Sequence, residues 1–374
     1  MARAVEPPAE AAQEVLAPRA NPDLVGHESA ERELEGLYRA GRLPHAILLG
    51  GPRGIGKATL AFRFARFLLA QGGQDAAASA DSPRGMGESG LSVDPESGVF
   101  RRIAAGGHAD LLTIERAWDP RRRRLRGEIV VEDTRAIADF FRLTAAEEGW
   151  RVVIIDGAEE MNRNAANAVL KILEEPPFQA LLLLVSHNPG QLLPTIRSRC
   201  RRLMLAPLPT PIVAELIRRF RPQLDEAETT SLAAVCAGSI GRALELADSG
   251  GLALYRSALD LLSQAPAIDV ARLHGFADRL ARVDAEDAYR ATAELLSQFL
   301  ARLAAAAARG ALDSGEIVAG EAAAMQRLAA RADPARWAGL RAEIERNFVA
   351  ADELNLDRKQ TMLSAFFAIA EMSR

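Results

Sequence analysis

One glycine-rich segment has the composition and spacing of a loop that binds nucleotide phosphates. It runs from Gly51 to Ala58 (GPRGIGKA), follows the apolar run 46–49 and precedes a helical pattern over residues 59–69. In such a loop the glycines let backbone N–H groups converge on phosphate oxygens, the helix N-terminus adds partial positive charge, and a lysine reaches the terminal phosphates. The candidate nucleotide-binding residues of this segment are Gly51, Gly54, Gly56, Lys57 and, just beyond the loop, Thr59.

The last position of the loop departs from the pattern of an active site. A Ser or Thr hydroxyl that binds Mg²⁺ belongs there, but this chain has Ala58. Thr59 follows, about 100° further round a helix, and is not expected to take the same place. Two interpretations stay open: the loop binds ATP or ADP, or it is a relic kept because the tight turn from strand to helix is structurally needed.

A carboxylate at the end of a second apolar run is a candidate for the same site. The run from Val152 to Asp156 (VVIID) is typical of a buried strand that delivers Asp156 to its carboxyl-terminal edge, where ligands bind in open α/β sheets. There Asp156 could order a hydrated Mg²⁺; the alternative is that it only caps the next turn. Glu159 is close in sequence but is expected to leave the strand edge in a different direction.

The elements that would position these residues belong to an α/β domain over residues 23–206. Short apolar runs alternate there with helical patterns, which predicts a largely parallel sheet flanked by helices. The expected strands are 46–49, 111–114, 129–131, 152–155, 181–185 and 202–205. Several are unbroken Val, Ile and Leu, as in strands covered on both faces. We interpret residues 1–22 as a mobile leader and residues 71–107, which lose periodicity, as a flexible insertion.

From residue 207 onward, convincing strand patterns give way to helical spacing of Ala, Leu, Arg and Glu. This predicts an all-helical second half. Gly punctuates the end of a helix at Ser249-Gly250-Gly251, which indicates a boundary between two helical parts, 207–250 and 251–374.

Composition limits the class of protein. At 374 residues the chain has more than one domain, and 49% hydrophobic with 26% charged residues indicates folded cores rather than disorder. The net charge is 46 − 50 = −4, so any contact with nucleic acid must be local. The two cysteines cannot build a disulfide framework and fit a reducing cytoplasm. We expect neither export nor a membrane span, since no secretory signal and no apolar run of about 20 residues occurs.

Three further motifs closely resemble those of the bacterial clamp-loader subunits of the AAA+ class. They are the segment 162–177 with its Leu-Lys171-Ile-Leu-Glu174-Glu-Pro-Pro run, Ser186-His-Asn-Pro189, and Ser198-Arg199-Cys200. The resemblance extends over residues 24–244, and it implies that 23–206 is the AAA+ α/β module, 207–250 its helical lid and 251–374 a helical collar that oligomerises. It also implies a cytoplasmic ring with motor (gamma/tau) and delta subunits that uses ATP to load a sliding clamp on primed DNA.

The resemblance implies a role in trans for Arg199. In the family, the arginine of Ser-Arg-Cys projects into the ATP site of the adjacent subunit as an arginine finger. A guanidinium at that position stabilises the charge of the transition state. The alternative is a surface arginine paired to a carboxylate.

Departures from the family's active pattern imply that this chain does not hydrolyse ATP itself. Motor subunits carry Glu directly after the Walker B Asp, where this chain has Gly157, and an Arg where it has Gly241, with Arg242 displaced by one residue. With Ala58, these changes predict a nonhydrolysing partner, in which any ATP or ADP is bound statically. The alternatives are an active gamma/tau-like clamp-loader ATPase and an AAA+ DNA-repair adaptor.

Two other features yield weaker expectations. Relatives often carry four zinc-binding Cys in the region matching 71–107, but this chain has none there, so we expect no zinc and interpret His108 as structural. The basic run Arg121–Arg126, with Arg101, Arg102 and Arg116 as neighbours, could contact template phosphate. A solvated hairpin tip is the simpler interpretation, and we favour it.

Overall fold

The computed structural model describes residues 15–72, 90–119, 124–142, 146, 149–310 and 316–374. The chain divides into two compact units, one ending at Ile212 and the other beginning at Val213. Of the helices within these described ranges, none is long and apolar enough to cross a bilayer.

All seven described strands lie in the first unit. They are β1 (Ala46–Gly50), β2 (Leu111–Ile114), β3 (Trp118–Asp119), β4 (Arg124–Leu125), β5 (Arg151–Asp156), β6 (Ala180–Ser186) and β7 (Arg201–Met204). Five of them form a parallel sheet in the order β2-β5-β6-β1-β7, and β3 pairs with β4 in a separate antiparallel ribbon. The predicted α/β architecture with a parallel sheet is confirmed.

The unbroken apolar strands are explained by two cores, one on each face of the sheet. Successive side chains of a strand point to opposite faces. Thus Ile47 and Leu49 of β1 pack in one apolar cluster, while Ala46 and Leu48 pack in the other. The central strands β5 and β6 alternate in the same way, with every apolar position buried.

Within the described residues, six α-helices lie in this first unit. They are α1 (Glu28–Arg39), α2 (Lys57–Ala70), α3 (Gly98–Ala104), α4 (Val131–Arg142), α5 (Arg163–Glu174) and α6 (Pro194–Arg199). Helix α5 begins where the Asn162 side chain accepts a hydrogen bond from Ala165 N at 3.0 Å, and it ends just before Pro176.

The predicted strand at residues 129–131 is wrong. Ile129 makes only an isolated parallel bridge with Met161, and Val131 already begins α4. The Asp133 carboxylate accepts a hydrogen bond from Val130 N at 3.0 Å, which favours a helix start at this point. The apolar run is therefore divided between a bridge and a helix.

Parts of the expected leader and insertion are ordered against α2. The buried Arg66 guanidinium donates to the carbonyls of Arg19 and Asn21, at 3.0 and 2.7 Å, and lies over the Phe100 ring. Phe100 belongs to α3, inside the stretch that was interpreted as an insertion. Residues 1–14 and 73–89 of these segments lie outside the described residues, and the mobile leader and the flexible insertion stay predictions.

The described part of the second unit contains only helices and turns, as predicted. Its helices, numbered from the one that spans the boundary, are α7 (Thr210–Phe220), α8 (Glu226–Val235), α9 (Ile240–Asp248), α10 (Gly251–Leu262), α11 (Val270–Leu280), α12 (Glu286–Arg309), α13 (Glu321–Ala329), α14 (Pro334–Leu354) and α15 (Arg358–Met372). Gly250, with φ +66°, separates α9 from α10, as the Gly signal predicts.

Polar contacts join the two helical segments within the second unit. Ser231 donates to the Ile317 carbonyl at 2.6 Å, and Arg242 pairs with Glu294 at 3.0 Å. Within the segment 251–374, the fully buried Glu321 carboxylate accepts hydrogen bonds from Tyr255 and from Ile317 N. Division of this unit into a lid, 207–250, and a collar, 251–374, stays a prediction.

Candidate functional site

The phosphate-type loop has the backbone that its glycines suggest. Gly51 has φ +144°, and a Cβ there would lie 2.5 Å from the Leu205 carbonyl oxygen, so only glycine fits between the strands. Gly54 and Gly56 also have positive φ, and α2 begins directly after Gly56. The buried His27 ring, just before α1, contacts the Ile55 carbonyl through Nε2 at 2.6 Å and supports the loop. The backbone is therefore shaped for an anion at the start of a helix.

Lys57 is folded back onto its own loop. Its side chain is buried, and Nζ donates to the Pro52 carbonyl at 2.5 Å. Burial lowers the pKa of this ammonium to about 8, against the opposing attraction of Glu159 and Asp156. To contact Lys57, a phosphate would therefore have to replace the Pro52 carbonyl as the acceptor of the Nζ donor, or accept a second hydrogen bond from Nζ.

Strand register brings Asp156 to the same edge as the loop. Gly50 at the end of β1 lies opposite Ser186 at the end of β6, and Asp156 at the end of β5 lies opposite Val185. Burial raises the pKa of Asp156, and the charge of Glu115 acts in the same direction, while Lys57 opposes them. The predicted loop and carboxylate thus meet at the carboxyl-terminal edge of the sheet.

The position that follows Asp156 has a left-handed backbone. Gly157 has φ +80° and ψ +48°, and its N–H donates to the Val185 carbonyl at 3.1 Å. A Cβ there would lie 2.5 Å from a carboxylate oxygen of Glu160, which pairs with Arg116. A glutamate at this position would be strained, because L-residues disfavour a left-handed backbone. The backbone here therefore suits glycine and not the glutamate base of the motor subunits.

We expect Gly157→Ala to destabilise the chain by about 1–2 kcal/mol, because the new Cβ forces a left-handed conformation that L-residues disfavour. Urea unfolding followed by circular dichroism measures the change. Gly36→Ala is the matched control: Gly36 lies within α1, and a Cβ there meets nothing within 4 Å. That control should be neutral or stabilising by up to about 1 kcal/mol. Equal effects of the two substitutions would contradict the assignment of strain to Gly157.

The expectation that Glu159 points elsewhere is wrong. The turn after Gly157 brings its carboxylate to the end of β6, where Oε1 accepts hydrogen bonds from His187 N at 2.6 Å and Asn188 N at 3.1 Å. Its charge acts on both Lys57 and Asp156. The left-handed turn that produces this placement has no signal in the sequence beyond the glycine itself. Glu159 thus belongs to the site, but one of its oxygens is committed to the loop after β6.

Several buried polar atoms at this edge suit a polar ligand. Within the described residues, Glu159 Oε2, Ser186 Oγ and His187 Nδ1 have no hydrogen-bond partner. Burial, reinforced by the charge of Lys57, lowers the pKa of His187, which favours the neutral ring. Unpaired buried polar groups are costly, so such a cluster fits a ligand that is rich in acceptors and donors.

Metal binding has weaker support from the same residues. Ala58 offers no hydroxyl, and Thr59 lies one residue further along α2. Among the described residues, no group of three or more His, Cys, Asp or Glu side chains is arranged to hold a metal. At this loop the chain therefore lacks the hydroxyl ligand that would organise Mg²⁺.

Arg199 lies away from this edge, at the end of α6. Its guanidinium donates to Glu174 Oε1 at 2.9 Å and to the Thr195 carbonyl at 3.1 Å. Arg201, two residues later, lies opposite Ile47 near the amino-terminal end of β1. Arg199 is thus near the amino-terminal edge of the sheet, whereas its own phosphate-type loop is at the carboxyl-terminal edge. Cys200 is buried, and burial raises the pKa of its thiol to about 11, as expected for an unreactive core residue.

Arg242 is engaged inside the helical unit. Its side chain is 13% exposed and pairs with Glu294 of α12. Burial lowers the pKa of its guanidinium, with Glu294 opposing. The Arg242 guanidinium thus forms an ion pair within the second unit.

The remaining sequence candidates lie outside the site or outside the described residues. His108 is buried, and its Nδ1 accepts a hydrogen bond from Asp110 N at 3.2 Å, a contact that orders the approach to β2. Residues 121–123 of the basic run are outside the described residues. Arg124 belongs to β4, the short strand that pairs with β3, and the function of the run stays open.

Comparison with known proteins shows which family the first unit resembles. Residues 26–209 match the family described as "DNA polymerase III, delta subunit". DNA polymerase III subunit delta' of Pseudomonas aeruginosa is 38% identical over 198 residues, which cover 52% of this chain and 53% of that protein. The corresponding subunit of Escherichia coli is 32% identical over 214 residues, covering 57% and 58%. The chain spans about half the length of these curated relatives.

Two further proteins are similar over a larger part of this chain. DNA polymerase III subunit gamma/tau of Mycobacterium tuberculosis H37Rv is 30% identical over 323 residues, 79% of this chain and 52% of that protein. A gamma subunit-related protein of Thermotoga maritima, known as a crystal structure, has 18% identity and a TM-score of 0.41, with coverage of 91% and 99%.

The family match covers the loop, Asp156, Gly157 and Arg199, and its bounds lie inside the first unit. The curated relatives at 38% and 32% identity carry the same subunit name. Through residues 26–209, this chain is similar to the clamp-loader subunits of DNA polymerase III of the delta-prime type.

Proposed function

We propose that the chain is a nonhydrolysing delta-prime-type subunit of the DNA polymerase III clamp loader, which completes the ATP site of a neighbouring subunit with Arg199. The observation that carries this proposal is the separation of the two candidate groups. Arg199 lies at the amino-terminal edge of the sheet, and the phosphate-type loop lies at the carboxyl-terminal edge.

The distance along the sheet argues against a role for Arg199 at its own loop. Met204 lies opposite Gly50, three residues beyond Arg201, and a strand rises about 3.3 Å per residue. At that rise Arg201 lies about 10 Å along the strand from Met204, and Arg199 precedes Arg201 by two residues. A guanidinium placed this way is available to a second subunit, and it remains 37% exposed.

The chain's own site lacks the groups for turnover. No hydroxyl stands at Ala58, and Gly157 occupies the position of the catalytic base with a backbone that suits glycine. Glu159 lies at the site, but its carboxylate accepts two backbone hydrogen bonds from the loop after β6. General-base and electrostatic contributions are commonly worth a factor of about 10² each. Any ATP or ADP in this site is therefore held without hydrolysis.

The proposed partners are gamma/tau-type motor subunits and a delta subunit in the cytoplasm, with the sliding clamp and primed DNA contacted through the complex. Reconstitution with the motor, delta and clamp proteins of the same organism tests this. We expect clamp loading on primed DNA, driven by ATP, to require this chain. Failure to assemble with those subunits would favour the repair adaptor, and ATP turnover by the purified chain would favour an active motor subunit.

Static nucleotide binding has a testable dependence on pH. Lys57 has a pKa of about 8 in the free chain, and a bound phosphate anion would raise it by favouring the charged form. The free lysine is protonated below pH 8, so affinity is full there. Above pH 8 binding must take up a proton, and affinity falls by up to about tenfold per pH unit until the pKa of the complex is reached.

Titration of a fluorescent ADP analogue between pH 7 and 9.5 measures this dependence. Lys57→Met should bind more weakly and show a flat profile. A flat profile in the unmodified chain would remove Lys57 from the phosphate contact. No binding at any pH would support the relic interpretation of the loop.

A further inference from the structure

Arg199 is held by two contacts within its own chain. One terminal nitrogen donates to the carbonyl of Thr195, one turn earlier in α6, and the other donates to the carboxylate of Glu174, the last residue of α5. Residues of two helices thus hold one guanidinium by two hydrogen bonds. The contact between Glu174 and Arg199 joins residues 25 apart in sequence.

The relative position of the two charged residues is set by the core. Leu173 and Cys200, their immediate neighbours in sequence, are both buried in the same apolar cluster. Pro176 follows shortly after Glu174 and restricts the backbone of the residue before it. The ion pair therefore joins two anchored backbone positions and not two mobile loops.

These two contacts leave part of the Arg199 guanidinium available. Arginine has five N–H donors in one rigid plane, and the two contacts described occupy one donor on each terminal nitrogen. The side chain stays 37% exposed. An arginine that is already oriented loses less conformational freedom when it binds a phosphate.

The Glu174–Arg199 ion pair is too weak to hold Arg199 back, so its effect is to orient the side chain. An exposed ion pair shifts an equilibrium by at most about fivefold, whereas an arginine finger changes a phosphoryl-transfer rate by about 10³ to 10⁵ in GTPases. A contact this weak cannot withhold Arg199 from a phosphate, but it can select the rotamer that reaches it.

We infer that Glu174 is a positioning residue, which orients the Arg199 guanidinium for the nucleotide phosphates of an adjacent subunit. The inference rests on the proposed role of Arg199 in trans. It assigns to Glu174, the first glutamate of the Leu-Glu-Glu-Pro-Pro run, a function on a side chain from a different helix.

Substitution of Glu174 in the reconstituted clamp-loader complex tests the inference. We expect Glu174→Ala to lower kcat for ATP hydrolysis about three- to fivefold at the site that receives Arg199, with KM for ATP unchanged. Glu174→Gln keeps an oxygen that can accept from Arg199 and should retain more than half of the activity. In an Arg199→Ala background, Glu174→Ala should cause no further loss, because the two residues act as one unit.

Glu33→Ala is the matched control, since Glu33 forms a comparable exposed pair with Arg201 at 2.8 Å. It should leave kcat unchanged. An unchanged or raised kcat for Glu174→Ala, or a loss that adds to that of Arg199→Ala, would overturn the inference. If Arg199→Ala itself has no effect, the proposed function fails and the inference fails with it.

Discussion

Replacement of Arg199 by alanine should abolish fast ATP hydrolysis at the one site of the assembled complex that faces this chain. A guanidinium at a transferring phosphoryl group accounts for about 10³ to 10⁵ in rate in GTPases, and we expect a loss of at least about 10² here. Rapid-quench measurement with clamp and primed DNA present should show the fast phase reduced by one equivalent of phosphate per complex. The other sites should keep their rates.

Arg201→Ala is the matched control for that experiment. Arg201 is two residues away, carries the same charge and forms a similar exposed pair, with Glu33. Its loss should change neither the amplitude nor the rate of the fast phase. Assembly of the Arg199→Ala complex must be normal by size-exclusion chromatography, because Arg199 is partly exposed and contributes little to the core. A full fast phase with Arg199→Ala would contradict the role in trans.

Purified alone, the chain should release phosphate from ATP at a rate about 10⁴ lower than an active motor site. Two groups are missing, the hydroxyl at Ala58 and the base at Gly157, and each is commonly worth about 10². The remaining carboxylate candidate, Glu159, is bound to the amides of His187 and Asn188. A coupled phosphate-release assay at saturating ATP measures the rate.

Lys57→Ala is the internal comparison for the isolated chain. If the unmodified chain does not hydrolyse ATP, this variant cannot lower the rate, and both should match the background of the buffer. A rate that is clearly measurable and falls with Lys57→Ala would identify the chain as an active ATPase.

Residue patterns predicted the sheet and the loop because both depend on local signals. Unbroken runs of Val, Ile and Leu mark strands that are buried on both faces, and glycines at fixed spacing mark a loop that closes on a helix. The placement of Asp156 beside that loop followed from the rule that ligands bind at the carboxyl ends of parallel strands. These parts of the site needed no knowledge of tertiary contacts.

The residues that the sequence misplaced or missed depend on backbone geometry or on partners that are distant in sequence. Glu159 enters the site because Gly157 adopts a left-handed conformation, which composition does not reveal. His27 supports the loop from the residue before α1, and a single histidine gives no periodic signal. The strand expected at residues 129–131 failed because the Asp133 carboxylate favours a helix start within an apolar run.

The most direct test of the account compares two variants of this chain in the same reconstituted complex, by ATP hydrolysis in the presence of clamp and primed DNA. Lys57→Ala changes the chain's own loop, and Arg199→Ala changes the group offered to a neighbour. The account predicts that Lys57→Ala leaves turnover unchanged and that Arg199→Ala removes the hydrolysis of one site. The opposite result, loss with Lys57→Ala and none with Arg199→Ala, would contradict it.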